Sequence, residues 1–105
     1  MNKQVTGTTT AAYVSALDWY CESAVNKTIF LLNTSGAQSL KYKILAAYSS
    51  DQATANLEEL VAEATLALGT SAKFQYNNQY YRLVLQVIDG DGHATYEVDY
   101  VSRGA

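Results

Sequence analysis

No proline occurs in the 105 residues. Proline is a common device for blunting exposed sheet edges, so any edges here need charges, bulges or neighbouring subunits to cover them. A single cysteine, Cys21, excludes an internal disulfide. Stability must then come from a core or from oligomer contacts. Beside Trp19 and Tyr20, Cys21 reads as a small buried hydrophobe rather than a nucleophile. The single histidine, His93, has only the acids of its own turn, Asp89 and Asp91, for company. A general base needs an oriented partner, and a solvated loop histidine is the preferred reading. Seven basic residues stand against ten acidic ones, for a net charge of −3. The basic residues are scattered, with Lys41 and Lys43 the nearest to a pair, so the basic face of a nucleic-acid binder is missing. No apolar run reaches the ~20 residues that cross a bilayer. The first ten residues hold no hydrophobic signal core, so the expected setting is a cytoplasm.

Chemical motifs are also scarce. No Cys/His spacing fits zinc, and no nucleophile elbow, P-loop or dinucleotide fingerprint occurs. Asp89-Gly-Asp-Gly92 suggests calcium only until ligands are counted, because the acids that would complete a loop site do not follow. Glu58, Glu59 and Glu63 offer carboxylates for glycoside hydrolysis but cluster on what reads as a solvated surface. The expectation is therefore no enzyme, no cofactor and no metal.

What is abundant is apolar and aromatic. Hydrophobic residues make up 49% of the chain, enough for a core, and nine are tyrosines. Tyrosine suits pleated, half-buried surfaces and interfaces, because one end is apolar and the other can hydrogen-bond. Residues 80–101 carry the clearest pattern. Tyr81, Leu83, Leu85 and Val87 share one face, and so do Ala94, Tyr96, Val98 and Tyr100, a period of two that marks strands. The glycine-punctuated turn between them predicts a hairpin.

Residues 1–10 are polar and threonine-rich and read as an extended arm, mobile or ordered by a partner. Residues 11–105 read as one β domain. Over residues 11–22 both alternating faces are partly apolar, favouring a strand covered on two sides. Residues 27–33 and 40–48 predict two strands that pair antiparallel. In the second, Leu40, Tyr42, Ile44, Ala46 and Tyr48 point inward. Leu57, Leu60, Val61 and Ala64 fit a helical face, so a short helix over residues 53–61 is expected, followed by a strand over residues 62–68. Six or seven strands with at most one short helix predict a mainly β fold: an antiparallel β-sandwich or jelly-roll-like barrel.

Tyr76, Tyr80, Tyr81, Tyr96 and Tyr100 form an aromatic set with three readings: core, sugar-stacking platform or subunit interface. Tyr81, Tyr96 and Tyr100 fit a core. Tyr76 and Tyr80 fit an interface, with Asn77 and Asn78 as its polar rim. Val5, Thr8 and Thr9 of the arm complete the candidate contact set.

Residues 27–47, KTIFLLNTSGAQSLKYKILAA, resemble small β-sandwich structural proteins of tailed-bacteriophage particles. In those, a strand ending in Asn, a Ser/Gly turn and a Leu-x-Tyr-x-Ile strand recur. Leu66-Ala-Leu-Gly69 followed by Tyr81-Arg-Leu-Val-Leu-Gln-Val87 is similar too. The resemblance implies a virion structural protein of the capsid cement or decoration type, assembled in a host cytoplasm. Its implied partners are the major capsid protein or other virion subunits, and a homo-oligomer such as a trimer. Neck, tail or fibre-associated proteins share the resemblance. The tyrosines leave a carbohydrate-binding module as a further alternative.

Overall fold

The computed structural model describes residues 2–21, 26–35, 38–49, 52–53, 56–77, 80–89 and 93–103. They form eight strands: β1 (Asn2–Thr8), β2 (Val14–Tyr20), β3 (Asn26–Asn33), β4 (Leu40–Ala47), β5 (Glu58–Leu66), β6 (Ser71–Asn77), β7 (Arg82–Ile88) and β8 (Thr95–Arg103). Two four-stranded antiparallel sheets result, in the orders β1-β8-β3-β6 and β2-β7-β4-β5. Apart from β4 to β5, every connection passes from one sheet to the other, and the two orders together are those of an eight-stranded jelly roll.

The core lies between the sheets and follows from the period of two. Ile29, Leu31 and Val98 from one sheet meet Leu40, Ile44, Leu83, Leu85 and Val87 from the other, all fully buried. At ~25 cal/mol per Å², each such side chain contributes on the order of 2 kcal/mol of burial free energy. Gly7 faces this core from β1, opposite Tyr96. A Cβ at Gly7 would stand 2.6 Å from the Tyr96 ring, so glycine is required there by close approach.

Several expectations change. Residues 80–101 are two strands, but they are not a hairpin: β7 pairs with β2 and β4, and β8 with β1 and β3. The same holds for β3 and β4, which lie in different sheets. Alternation marks the buried face of a strand, and an arch between sheets ~10 Å apart carries the same alternation as a hairpin. No helix spans residues 53–61. A single turn, with Asn56 N–H donating to Ala53 O at 2.9 Å, leads into β5, which already begins at Glu58. The β4–β5 register shifts twice, between Tyr42/Ile44 and Ile44/Leu45. Such irregularity breaks strand alternation and leaves apolar spacing that mimics a helix. In β2 a bulge between Ser15 and Leu17 turns both Ala16 and Leu17 into the core, which explains the two-sided apolar pattern.

Most of the polar arm is strand β1, which pairs with β8 of the same chain over Asn2 to Thr8.

Candidate functional site: an aromatic end

The two ends of the sandwich are built differently. One carries residues 9–12, 34–35, 38–39, 67–70, 89 and 93–94, and polar groups tie it together. Thr9 is fully buried; its N–H donates to Ala94 O at 2.8 Å and its Oγ1 accepts from Ala94 N–H at 2.9 Å. Asn33, also fully buried, joins the sheets. Its Nδ2 donates to Gln38 O at 2.8 Å and to Leu66 O at 3.1 Å, while its Oδ1 accepts from Ser35 N–H at 2.9 Å. Gly69, at φ +71°, closes the β5–β6 turn beside it, and its N–H donates to Asn33 O at 3.0 Å. Positive φ favours glycine. A cleft of about 460 Å³ at this end is lined by Gln38, Ser39, Lys41, Thr65 and Asp89, over Leu40 and Ile88. His93 is exposed, with Nδ1 3.2 Å from Thr9 O. Asp91 lies outside the described residues.

Tyrosines gather at the opposite end, around residues 20–21, 48–49 and 80–81. Tyr80 makes ring contacts with both Tyr76 of β6 (5.6 Å between centroids) and Tyr48 beyond β4 (5.4 Å), so the row spans both sheets. Tyr81 meets Tyr20 edge-on at 5.9 Å. The Arg82 guanidinium lies 5.1 Å from the Tyr20 ring centroid and grips Asp18 with two hydrogen bonds of 2.7 and 2.8 Å. That bond to Asp18 raises the Arg82 pKa further. Tyr20 and Tyr48 are 59% and 52% exposed. Tyr48 donates its hydroxyl to Glu58, which lifts the phenol from 10.0 to about 12. Tyr13, on the flank of the sandwich, is similarly raised to about 12, by burial first and then by the hydrogen bond to Glu63.

Beneath this surface the packing is less well satisfied. Cys21 is buried as expected; its N–H donates to Tyr81 O at 2.9 Å, and burial pushes its thiol pKa up. Lys27 faces the core from β3 in register with Tyr76 and is 1% exposed. Its Nζ is buried and has no hydrogen-bond partner among the described residues. Burying an unpaired ammonium is costly.

The candidate contact residues are scattered by this geometry. Tyr76 and Tyr80 come together but are half-buried and pack on the core. Asn77 ends β6, and Asn78 lies outside the described residues. Val5 packs on the core, Thr8 is exposed, and Thr9 is buried at the polar end, away from Tyr76 and Tyr80. Sequence reasoning missed Tyr20 and Tyr48. Tyr48 was expected inward, but β4 stops at Ala47 and the Tyr48 N–H donates to Gln52 Oε1 at 2.8 Å instead of continuing the ladder. A tyrosine placed one residue past an alternating run was the available signal. Glu58, Glu59 and Glu63 are exposed on β5, and Glu58 and Glu63 accept from tyrosines. Among the described residues, no cluster of three His, Cys, Asp or Glu side chains is placed to hold a metal.

No family model matches the chain, and no curated protein does. Solved structures do share its fold. The pre-peptidase C-terminal domain of a Bacillus anthracis collagenase matches with TM-score 0.63 at 19% identity, covering 96% of this chain and 90% of that one. A protein of Bacillus endospore appendages, which form disulfide-linked pili, matches with TM-score 0.62 at 10% identity, covering 97% and 85%. The SPBc2 prophage-derived protein YomS matches with TM-score 0.52 at 13% identity, covering 97% and 96%. At these identities the likeness is one of fold: a small antiparallel β-sandwich that recurs in an appendage, a prophage-derived protein and a domain of a collagenase.

Proposed function

We propose that the chain is a structural subunit of a tailed-bacteriophage particle, of the capsid cement type, and that its aromatic end is the surface that grips neighbouring capsid subunits. The observation that carries this reading is the exposure of Tyr20 and Tyr48 on a braced end of the sandwich. Tyrosine and arginine are the residues that most often anchor protein interfaces, because they bury large area with few rotatable bonds and still hydrogen-bond. Here Tyr80 and Tyr76 support Tyr48, and Arg82, held by Asp18, supports Tyr20. The anchors are therefore set before a partner arrives. Weak single contacts suffice when many copies bind one shell. The fold likeness to a prophage-derived protein and to an endospore appendage supports a role in assemblies. It does not reach the kind of particle.

Particles prepared without the chain should lose resistance to heat and low ionic strength, and adding the purified chain back should restore it. Unchanged resistance contradicts the cement role. A shell-wide copy number fits the capsid, whereas a ring-sized one moves the chain to the neck or tail. A second reading, a carbohydrate-binding module, draws on Tyr20 beside Asp18 and Arg82. A glycan array with Tyr20→Ala as control tests it, and binding to no glycan removes it.

A further inference from the structure

The outer face of the β1-β8-β3-β6 sheet is organised in rows. The register places Gln4, Asp99, Phe30 and Lys73 side by side in one row. The next row holds Thr6, Glu97, Leu32 and Ser71, and the row on the other side ends in Val101, Thr28 and Gln75. Val5, Phe74, Tyr96 and Val98 point into the core, so these alternating residues point out. Phe30 and Leu32 thus form a half-buried apolar strip down β3. Acids flank it on β8 and a lysine on β6. Asp99 accepts from Gln4 Nε2 at 3.0 Å, which fixes its carboxylate on this face. With β3 between them, the backbones of Asp99 and Lys73 stand about 9–10 Å apart in one chain, two strand spacings, and neither is in a salt bridge among the described residues.

We infer that this face pairs with the same face of a second copy, about a two-fold axis running along β3. That axis lays β3 over β3, β6 over the partner's β8, and β8 over the partner's β6. Lys73 of each copy then meets Asp99 of the other, and Phe30 and Leu32 meet their own counterparts at the centre. The alternative two-fold, across the strands, sets Asp99 against Asp99 and Lys73 against Lys73, and like charges repel. Charge complementarity therefore selects both the occupant and the axis. A face of this size buries roughly 300–400 Å² per partner from the strand spacing and length. A standard interface buries ~800 Å² per partner, so the dimer is weak and concentration-dependent. The inference stands apart from the aromatic end, since the two surfaces do not share residues.

Sedimentation equilibrium of the full chain at loadings up to about 1 mM is the test. The wild type should move from monomer to dimer. Lys73→Asp and Asp99→Lys, each alone, should weaken dimerisation at least tenfold, because each creates like-charged contacts. Carrying both substitutions in one chain should restore it, and mixing the two single variants should give a heterodimer. Circular dichroism of each variant reports folding separately, which matters because Asp99 also holds Gln4. A wild type that stays monomeric at every loading overturns the inference, as do folded single variants that dimerise like wild type.

Discussion

The two ends of this sandwich solve the same problem in opposite ways. At the polar end the loops are closed by groups that satisfy one another: Asn33 uses both its donors and its acceptor, and Thr9 exchanges two bonds with Ala94. At the aromatic end tyrosine rings gather, two of them exposed, and nearby a buried lysine amine has no hydrogen-bond partner among the described residues. The first arrangement gains stability from completed bonds. The second leaves apolar area in water and a polar group unsatisfied in the core. Both are costs to the isolated chain. On the proposed reading, the polar end holds the sheets together and the aromatic end meets the partner.

The largest expected effect breaks the polar end. Asn33→Ala strands Gln38 O, Leu66 O and Ser35 N–H and should cost about 3 kcal/mol. The thermal midpoint should then fall by roughly 10 °C or more. A shift within a degree or two of wild type would show that Asn33 does not hold the sheets together. Gly7→Ala should cost about 2 kcal/mol by pushing the Tyr96 ring out of its place, measurable by chemical denaturation. At the aromatic end the sign reverses. Lys27→Met fills the same space without the buried amine and should stabilise by about 1–2 kcal/mol. A destabilised Lys27→Met would mean that the amine has a role that the packing does not reveal.

The tyrosine–glutamate bonds sharpen the contrast at high pH. Tyr13 and Tyr48 both titrate at about 12 in the folded chain, against 10.0 in a free side chain. Above pH 10 the folded chain thus holds protons that the unfolded chain releases, so stability falls as pH rises from 10 towards 12. The causes differ in order. The bond to Glu58 dominates for Tyr48, whereas burial dominates for Tyr13. Glu58→Gln should therefore bring Tyr48 down towards 10.0, while Glu63→Gln leaves Tyr13 raised by its burial. Tyrosinate absorbance in a pH titration reads both.

How much of this was legible in the sequence depended on which physical constraint wrote the pattern. Burial writes a period of two, so Leu40, Tyr42, Ile44 and Ala46, and likewise Tyr96 and Val98, were readable as inward faces and proved buried. Sheet partnership writes no comparable pattern. The ladder is made of backbone groups, the same for every residue, which is why β7 and β8 read as a hairpin when they form an arch. Bulges erase alternation locally, which hid the start of β5. β1 was unreadable as a strand because its inward positions include Gly7, which has no side chain to mark the face. At the candidate site, Tyr80 and Tyr76 were visible as a cluster through their closeness in sequence. Tyr20 and Tyr48 lie far apart in the chain, and only the fold brings their ends of β2 and β4 to the same side.

The smallest expected effect on folding is the largest on binding. Tyr20→Ser with Tyr48→Ser removes exposed rings, so the thermal midpoint should stay close to wild type, within about 0.5 kcal/mol of stability. The occupancy of that double variant on purified particles, measured by quantitative mass spectrometry against wild type, tests the binding role of the aromatic end most directly. Loss of the variant from particles at unchanged stability is the predicted result. Wild-type occupancy by the folded double variant would contradict it.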